Sequence, residues 1–556
     1  MAEATEIDNE RLTMGRFLTE IADEFGESCA IRFNREDISY IELQSRSRAL
    51  AKALVAAGVV KGARVAVQMA NRPEWAVASF ATGLIGAVLV PINTFATSEE
   101  RDYILRHSDA SLLIVQPQLL KHRYLESLLT DHPSICEVPA GQLYLNALPQ
   151  LRRVVCLEAG QGTVADYDSF IEAGATVPDA IIDEMSSEMH PMDDCCIIYT
   201  SGTTSNPKGV LHAHRAPVLQ GHRFAELVLF TTEDRLYTSY PFFWTAGMAM
   251  SLMAPLAKGT KLILQEVFNP EEALLAIEQE KVTCIHAWPH QHKALGEHPS
   301  CKERDLTSLV KLDAFSALKP YAGIKDDNYG VHGSAYGLTE TFTIASMTKA
   351  DADASIREKT TGLPLYGNIF RIVDPDSGER LPQGKEGEIT LKGLSFMRGY
   401  YKRLPEDYLD DDGFFHTQDG GFIDDDGYLH WTGRISSMIK TGGANVSPLE
   451  IENAAGKMPE LRVGLPVGIS HPIMGQVIVL CALKTAGADT DEARVRAFLK
   501  QHLAAYKLPK CVLFFKEDEL SFTGSAKIQV GPLREAAIAR LKSENITIDD
   551  HNYGSA

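Results

Sequence analysis

The stretch 197–210, IIYTSGTTSNPKGV, is where residue types and spacing most plainly suggest chemistry. An apolar run ends at Thr200 and opens into a loop of hydroxyls and glycines, Ser201, Gly202, Thr203, Thr204, Ser205 and Gly209. Pro207 stiffens it and Lys208 supplies one cation. Hydroxyl and backbone N–H donors converging on a concave turn, with an ammonium beside them, suit the charge-assisted hydrogen bonding of a polyphosphate. The Walker A pattern is absent, and so are GxSxG and GxGxxG, which leaves hydrolase and dinucleotide-oxidoreductase readings without a motif. Two other clusters invite metal readings. His286, His290 and His292 in IHAWPHQH do not fall on one helical face around Pro289, so a strand end with His286 or Trp288 lining an apolar site is preferred to zinc. The acidic runs 410–412 and 424–426 lack alternating ligand spacing and end in Gly, which reads as tight turns rather than calcium loops.

The loop resembles the phosphate-binding signature YTSGTTGxPKG of the adenylate-forming superfamily, which includes acyl-CoA synthetases, luciferases and peptide-synthetase adenylation domains. The likeness continues in order along almost the whole chain. AYGLTET at 335–341 is similar to YGxTE, and GKEGEITLKG and FMRGYYKRLPE resemble GExGEI and GYxxxPE. The stretch 416–452 is similar to TGDxxxxDxxGyxxxxGRxKDxIKxxGxxVxPxEIE, and TGSAKIQ puts Lys527 where the family carries its C-terminal lysine.

The resemblance implies an ATP-dependent acid:CoA ligase working through an acyl-adenylate, with Mg2+, and coenzyme A as co-substrate. Such chemistry needs no protein nucleophile; it holds two anions together and stabilises phosphoryl charge. On that pattern Lys527 bridges carboxylate and α-phosphate, Thr339 contacts phosphate and Glu340 binds Mg2+. Nucleotide contacts fall to Thr200, Ser201, Gly202, Thr203, Thr204 and Lys208, and to Gly333, Ser334, Ala335, Tyr336 and Gly337. Asp419 is expected at the ribose and Arg434 at ribose or phosphate. Lys440, Gly442 and Gly443 are expected beside the CoA path, and Ser437 at a hinge. Trp244 stands where the family's substrate-gate histidine is common, so Trp244, His286 and Trp288 are candidates for the acyl pocket. An apolar acid is implied: a medium or long-chain fatty acid, or a bulky alicyclic, aromatic or steroid-type acid. The alternatives are an acyl-AMP ligase serving a carrier protein and a catalytically silent homologue, the latter motivated by Ser205, Ser437 and Ala526, which depart from the pattern. The segment 315–336 is shorter than usual and degenerate, leaving the acyl pocket open in that region.

The elements that must position these residues alternate between helical and strand patterns through the first 430 residues, which indicates α/β layers with mostly parallel strands. Helices are expected at 40–57, from 73, and at 98–107, and strands at 64–69, up to 91, and at 111–115. Turn signals in 361–430 suggest a β-rich, barrel-like subdomain, an antiparallel barrel or sheet. The expected division is an N-terminal ATP- and acid-binding domain, 1–434, and a mobile α+β C-terminal domain, 435–556, whose polar tail after 543 should fray. The resemblance also raises a homodimer.

The chain of 556 residues carries 54 Lys+Arg against 74 Asp+Glu, a net charge of −20 that argues against nucleic acid or an anionic lipid surface as partner. Its anionic ligands must therefore meet local cations. Nine cysteines without a CxxC spacing suggest a reducing compartment, and the acidic N-terminus lacks a signal-peptide pattern, so a cytoplasmic location is expected. The uncharged stretch 75–92 holds Gly83, Gly86 and Pro91 and reads as a buried helix feeding a buried strand rather than a membrane span.

Overall fold

The computed structural model describes residues 11–555 except 140, 159, 161, 201–206, 314–315, 325–330, 333, 436–437, 442–443, 504 and 523–527; at 331–332, 440, 444–445 and 555 it describes the backbone alone. Contact density divides the chain into two units, Met1–Ile369 with Lys392–Phe415, and Phe370–Leu391 with His416–Ala556.

The first unit is built on two sheets. The larger runs, in spatial order, Gly399–Tyr400, Lys208–Ala213, Asp194–Thr200, Val88–Pro91, Arg64–Gln68, Ala110–Val115, Arg153–Cys156 and Ala165–Asp166. Its strands from Asp194–Thr200 onward pair in parallel, and the first three pair antiparallel. Val65, Val67, Leu89, Val90, Ile197 and Ile198 are all buried, as expected of β-branched and leucine runs covered on both faces. The second sheet orders Cys284–His286, Arg235–Thr238, Lys261–Leu264, Cys29–Phe33 and Glu36–Ser39.

The sequence cues for helices act as anticipated. Helix Ser98–His107 starts with a full capping box, the Thr97 hydroxyl accepting from the Glu100 N–H and the Glu100 carboxylate accepting from the Thr97 N–H. The uncharged stretch divides into helix Pro73–Leu84 and strand Val88–Pro91, separated at Gly86, whose φ of 68° suits glycine. No described helix is long and apolar enough to cross a membrane.

In the second unit the strands Asn368–Val373, Gly387–Gly393, Phe415–Ile423 and Leu429–Arg434 form a four-stranded sheet. Of the barrel or sheet expected for 361–430, the structure thus has the open sheet. Beyond it, Leu461–His471 and Gly475–Lys484 make a long antiparallel pair, flanked in parallel by Cys511–Phe514. The tail does not fray: Thr547–Ile548 pairs with His551–Asn552, Ile548 and Tyr553 are buried, and the Tyr553 hydroxyl donates to the Ser470 carbonyl at 3.0 Å. Two apolar anchors in a polar segment carry no periodicity, yet they are enough to dock it.

Candidate active site

Within the first unit, Thr200 and Lys208 are directly opposed residues of an antiparallel pair, so the expected phosphate loop is the tip of a hairpin. The tip itself, with Ser201, Gly202, Thr203, Thr204 and Ser205, lies outside the described residues. A Cβ on Gly209 would come within 2.9 Å of Ile197 Cγ2 and 3.2 Å of the Tyr199 ring, so glycine lets the strand close down on its neighbour. Behind the hairpin the Tyr103 hydroxyl donates to the Pro207 carbonyl at 3.1 Å, and Tyr199 Oη lies 2.8 Å from His107 Nδ1.

Lys208 extends its ammonium over the ring of Tyr400, 5.0 Å from the centroid. The Tyr400 hydroxyl donates to Glu340 Oε1, and the Glu340 carbonyl accepts from the Met397 N–H at 2.7 Å. Burial, then the neighbouring Glu340 charge, pushes the Tyr400 phenol upward, so it is a donor at any working pH. Glu340 lies in the short turn Thr339–Thr341, followed by Phe342 and Thr343 at φ of 52° and 86°. Gln220 Nε2, buried on helix Arg215–Leu227, reaches the carbonyls of Thr341, Phe342 and Ile344 and holds that turn. Gly337 is required by close approach, since a Cβ there would sit 1.7 Å from the Thr343 carbonyl oxygen. Ser334, Ala335 and Tyr336 lead into the turn, Ala335–Tyr336 pairing with Ser346–Met347. Under it His212 meets Phe342 edge-on at 4.9 Å, and burial lowers its pKa to about 3.

The three acyl-pocket candidates come together elsewhere in the same unit. Trp288 lies 4.5 Å from Tyr240 and 6.1 Å from Trp244, ring to ring, and both tryptophans are half-buried. His286 is buried behind them, stacked on Tyr240 at 5.6 Å, with Nδ1 3.0 Å from Ser251 Oγ. Asn71 clamps this wall by donating to the Tyr240 carbonyl and accepting from the Phe242 N–H, each at 2.9 Å. Helix Arg215–Leu227 also serves here, because Phe224 packs edge-on to His286 at 5.5 Å. His292 instead lies 2.8 Å from Ser316, and among the described residues no three His, Cys, Asp or Glu side chains gather as a metal site.

In the second unit Asp419 and Arg434 are opposed across an antiparallel pair. Arg434 Nε lies 3.0 Å from Asp419 Oδ1, and its Nη1 donates to the Thr417 carbonyl at 2.9 Å. The carboxylate is buried while the guanidinium is half exposed. Asp424 Oδ1 accepts from the Asp426 and Tyr428 N–H groups, and Asp410 accepts in the same way in the first unit, so both acidic runs are turns. The Lys440 backbone opposes Asn445 in a hairpin whose tip, with Gly442 and Gly443, lies outside the described residues. The Lys440 side chain, Gly333, Ser437, Ala526 and Lys527 lie outside them too. Tyr400, Gln220, Asn71 and Tyr240 were not singled out from sequence. Tyr400 stood within a motif already quoted and Tyr240 lies four residues before Trp244; Gln220 and Asn71 gave no sequence signal.

A family model described as AMP-binding enzyme matches residues 18–401. The chain is 32% identical over 514 residues to a feruloyl-CoA synthase of Amycolatopsis sp, covering 91% of this chain and 95% of that protein. It is 32% identical over 502 residues to a methyl-dioxo-octahydroindenyl propanoyl:CoA ligase of Mycobacterium tuberculosis, covering 89% and 93%. Among solved structures, ATP-bound MatB from Rhodopseudomonas palustris superposes with a TM-score of 0.77 at 27% identity, covering 94% of this chain and 98% of that one.

Proposed function

The chain belongs to the AMP-binding enzyme family, as an AMP-forming acid–thiol ligase, and from that premise we propose that it joins a bulky cyclic carboxylic acid to coenzyme A at the expense of ATP. The observation that carries this reading is the grouping of Lys208, Tyr400 and Glu340 beside the phosphate hairpin, with a wall of Tyr240, Trp244 and Trp288 in the same unit. The first set offers one cation and one hard carboxylate to a triphosphate. The second offers aromatic faces to a ring-bearing acid. Relatives named for a feruloyl group and for a bicyclic propanoyl group support the cyclic class.

In this reading the acid's carboxylate oxygen attacks the α-phosphorus of ATP, pyrophosphate leaves, and a thiol then displaces AMP from the acyl carbonyl. Lys208 holds phosphate, Thr339 adds a hydroxyl, and Asp419 accepts from the ribose hydroxyls. Lys527 draws carboxylate and α-phosphate together in the first step. The C-terminal domain, 435–556, then turns about Ser437 to place Lys440, Gly442 and Gly443 beside the pantetheine. Glu340 fits Mg2+ by its oxygen chemistry. With no larger acidic cluster among the described residues, it would share the ion with phosphate oxygens, and the ion would neutralise their charge.

The test is acid-dependent ATP–pyrophosphate exchange over a panel of straight-chain, aromatic and alicyclic acids, followed by thioester formation with CoA. Exchange fastest with cyclic acids supports the reading. Exchange confined to straight-chain acids rejects the substrate class, and AMP release driven by a carrier protein but not by CoA rejects the acceptor.

A further inference from the structure

We infer that Tyr400 is a positioning residue that both spaces and orients the opposite charges of the phosphate site, a role that rests on the nucleotide reading above. Its backbone is stitched into two elements at once. Gly399–Tyr400 pairs antiparallel with the hairpin strand, Arg398 N–H donating to the Leu211 carbonyl and Tyr401 N–H to that of Gly209, both at 2.8 Å. One turn earlier, Met397 N–H holds the Glu340 carbonyl. Gly399 has a φ of 152° and a Cβ there would lie 2.5 Å from the Tyr408 hydroxyl, so the position favours glycine. The ring is fixed edge-on by Tyr408 at 4.8 Å and Phe415 at 6.4 Å.

So held, the side chain presents a different group to each charge. Its face receives the Lys208 ammonium, and its hydroxyl donates to Glu340 Oε1. Among the described residues neither Lys208 nor Glu340 has an ion-pair partner. The phenol thus touches a lysine and a glutamate that are not spent on an ion pair among the described residues, and leaves each with charge to offer a ligand. The hydroxyl also fixes the carboxylate in one rotamer, so a cation arriving with the nucleotide meets an oriented oxygen.

The experiment is calorimetric titration of the full-length protein with ATP, in Mg2+ and in EDTA, for wild type, Tyr400→Phe, Tyr400→Leu, Glu340→Gln and the Tyr400→Phe/Glu340→Gln pair, with melting temperatures alongside. Tyr400→Phe keeps the ring and loses the hydroxyl. It should weaken ATP binding about tenfold in Mg2+, the scale of a hydrogen bond to a charged group, and leave binding in EDTA within about twofold. Tyr400→Leu should weaken binding in EDTA as well, by a further few-fold from the lost cation–π contact. In the Glu340→Gln background Tyr400→Phe should add nothing. Equal losses in Mg2+ and EDTA for Tyr400→Phe, wild-type affinity in both, or additive effects in the pair would overturn the assignment. Because no acid is present, failure of pyrophosphate exchange with every acid would count against the functional reading and leave this result standing.

Discussion

Two regions of the first unit, the ones proposed for phosphate and for acid, are built by opposite means. The proposed phosphate side is made of backbone: an antiparallel hairpin, a third strand stitched to it, and a turn whose carbonyls are gathered by Gln220. The proposed acid side is made of side-chain faces, Tyr240, Trp244, Trp288 and His286, with Asn71 as a polar clamp. A single helix, Arg215–Leu227, supports both, Gln220 serving one and Phe224 the other. Hydrogen-bonded backbone holds donors in place without reorganisation, which suits a triphosphate. Aromatic surfaces tolerate shape changes, which lets a family vary its acid without touching its nucleotide chemistry.

The sharpest way to break this contrast is Lys208→Ala. It should lower acid-dependent pyrophosphate exchange by about 100- to 1000-fold, the scale for removing one preorganised charge donor, and should do so for every acid alike. A change in the ranking of acids would show that the two sides are not separable. The converse variant, Trp288→Ala, should raise KM for a cyclic acid by about 10- to 100-fold, as expected for losing an aromatic contact face. KM for ATP should stay within about twofold. Equal effects on both constants would mean that Trp288 holds the fold rather than the acid.

The contrast also explains what could be read beforehand. The hairpin, the Thr339–Glu340 turn and the Asp419–Arg434 pair lie in motifs with fixed spacing, because backbone geometry ties residue type to position. Tyr400 was visible as a letter in such a motif, yet its role depends on Glu340, 60 positions earlier, and on a ring orientation that spacing does not encode. The acid wall was half legible: Trp244, His286 and Trp288 could be singled out, but Tyr240 and Asn71, which join and clamp them, could not. Between barrel and sheet the sequence could not choose, because turn-rich strands look alike whether a sheet closes or stays open. The docked tail was missed because Ile548 and Tyr553 are too few to make a pattern.

A smaller effect, in stability rather than rate, bears on the same division. His212 beneath the phosphate-site turn is buried and held neutral, its pKa lowered to about 3, and burial likewise lowers His214 and His222 to about 4. In the unfolded chain each takes a proton near the ordinary value of about 6.5. Between there and the folded values the unfolded state binds more protons, so the stabilising contribution is whole above pH 6.5 and lost as pH falls toward 4 for His214 and His222 and toward 3 for His212. At pH 5 the loss per histidine is on the order of 1 to 2 kcal/mol. Urea midpoints at pH 7 and pH 5 measure it, and His212→Asn should remove about a third of the difference if the three contribute alike. A ligand that binds only the folded state opposes unfolding, so saturating Mg2+–ATP at pH 5 should raise the urea midpoint of wild type and of His212→Asn alike.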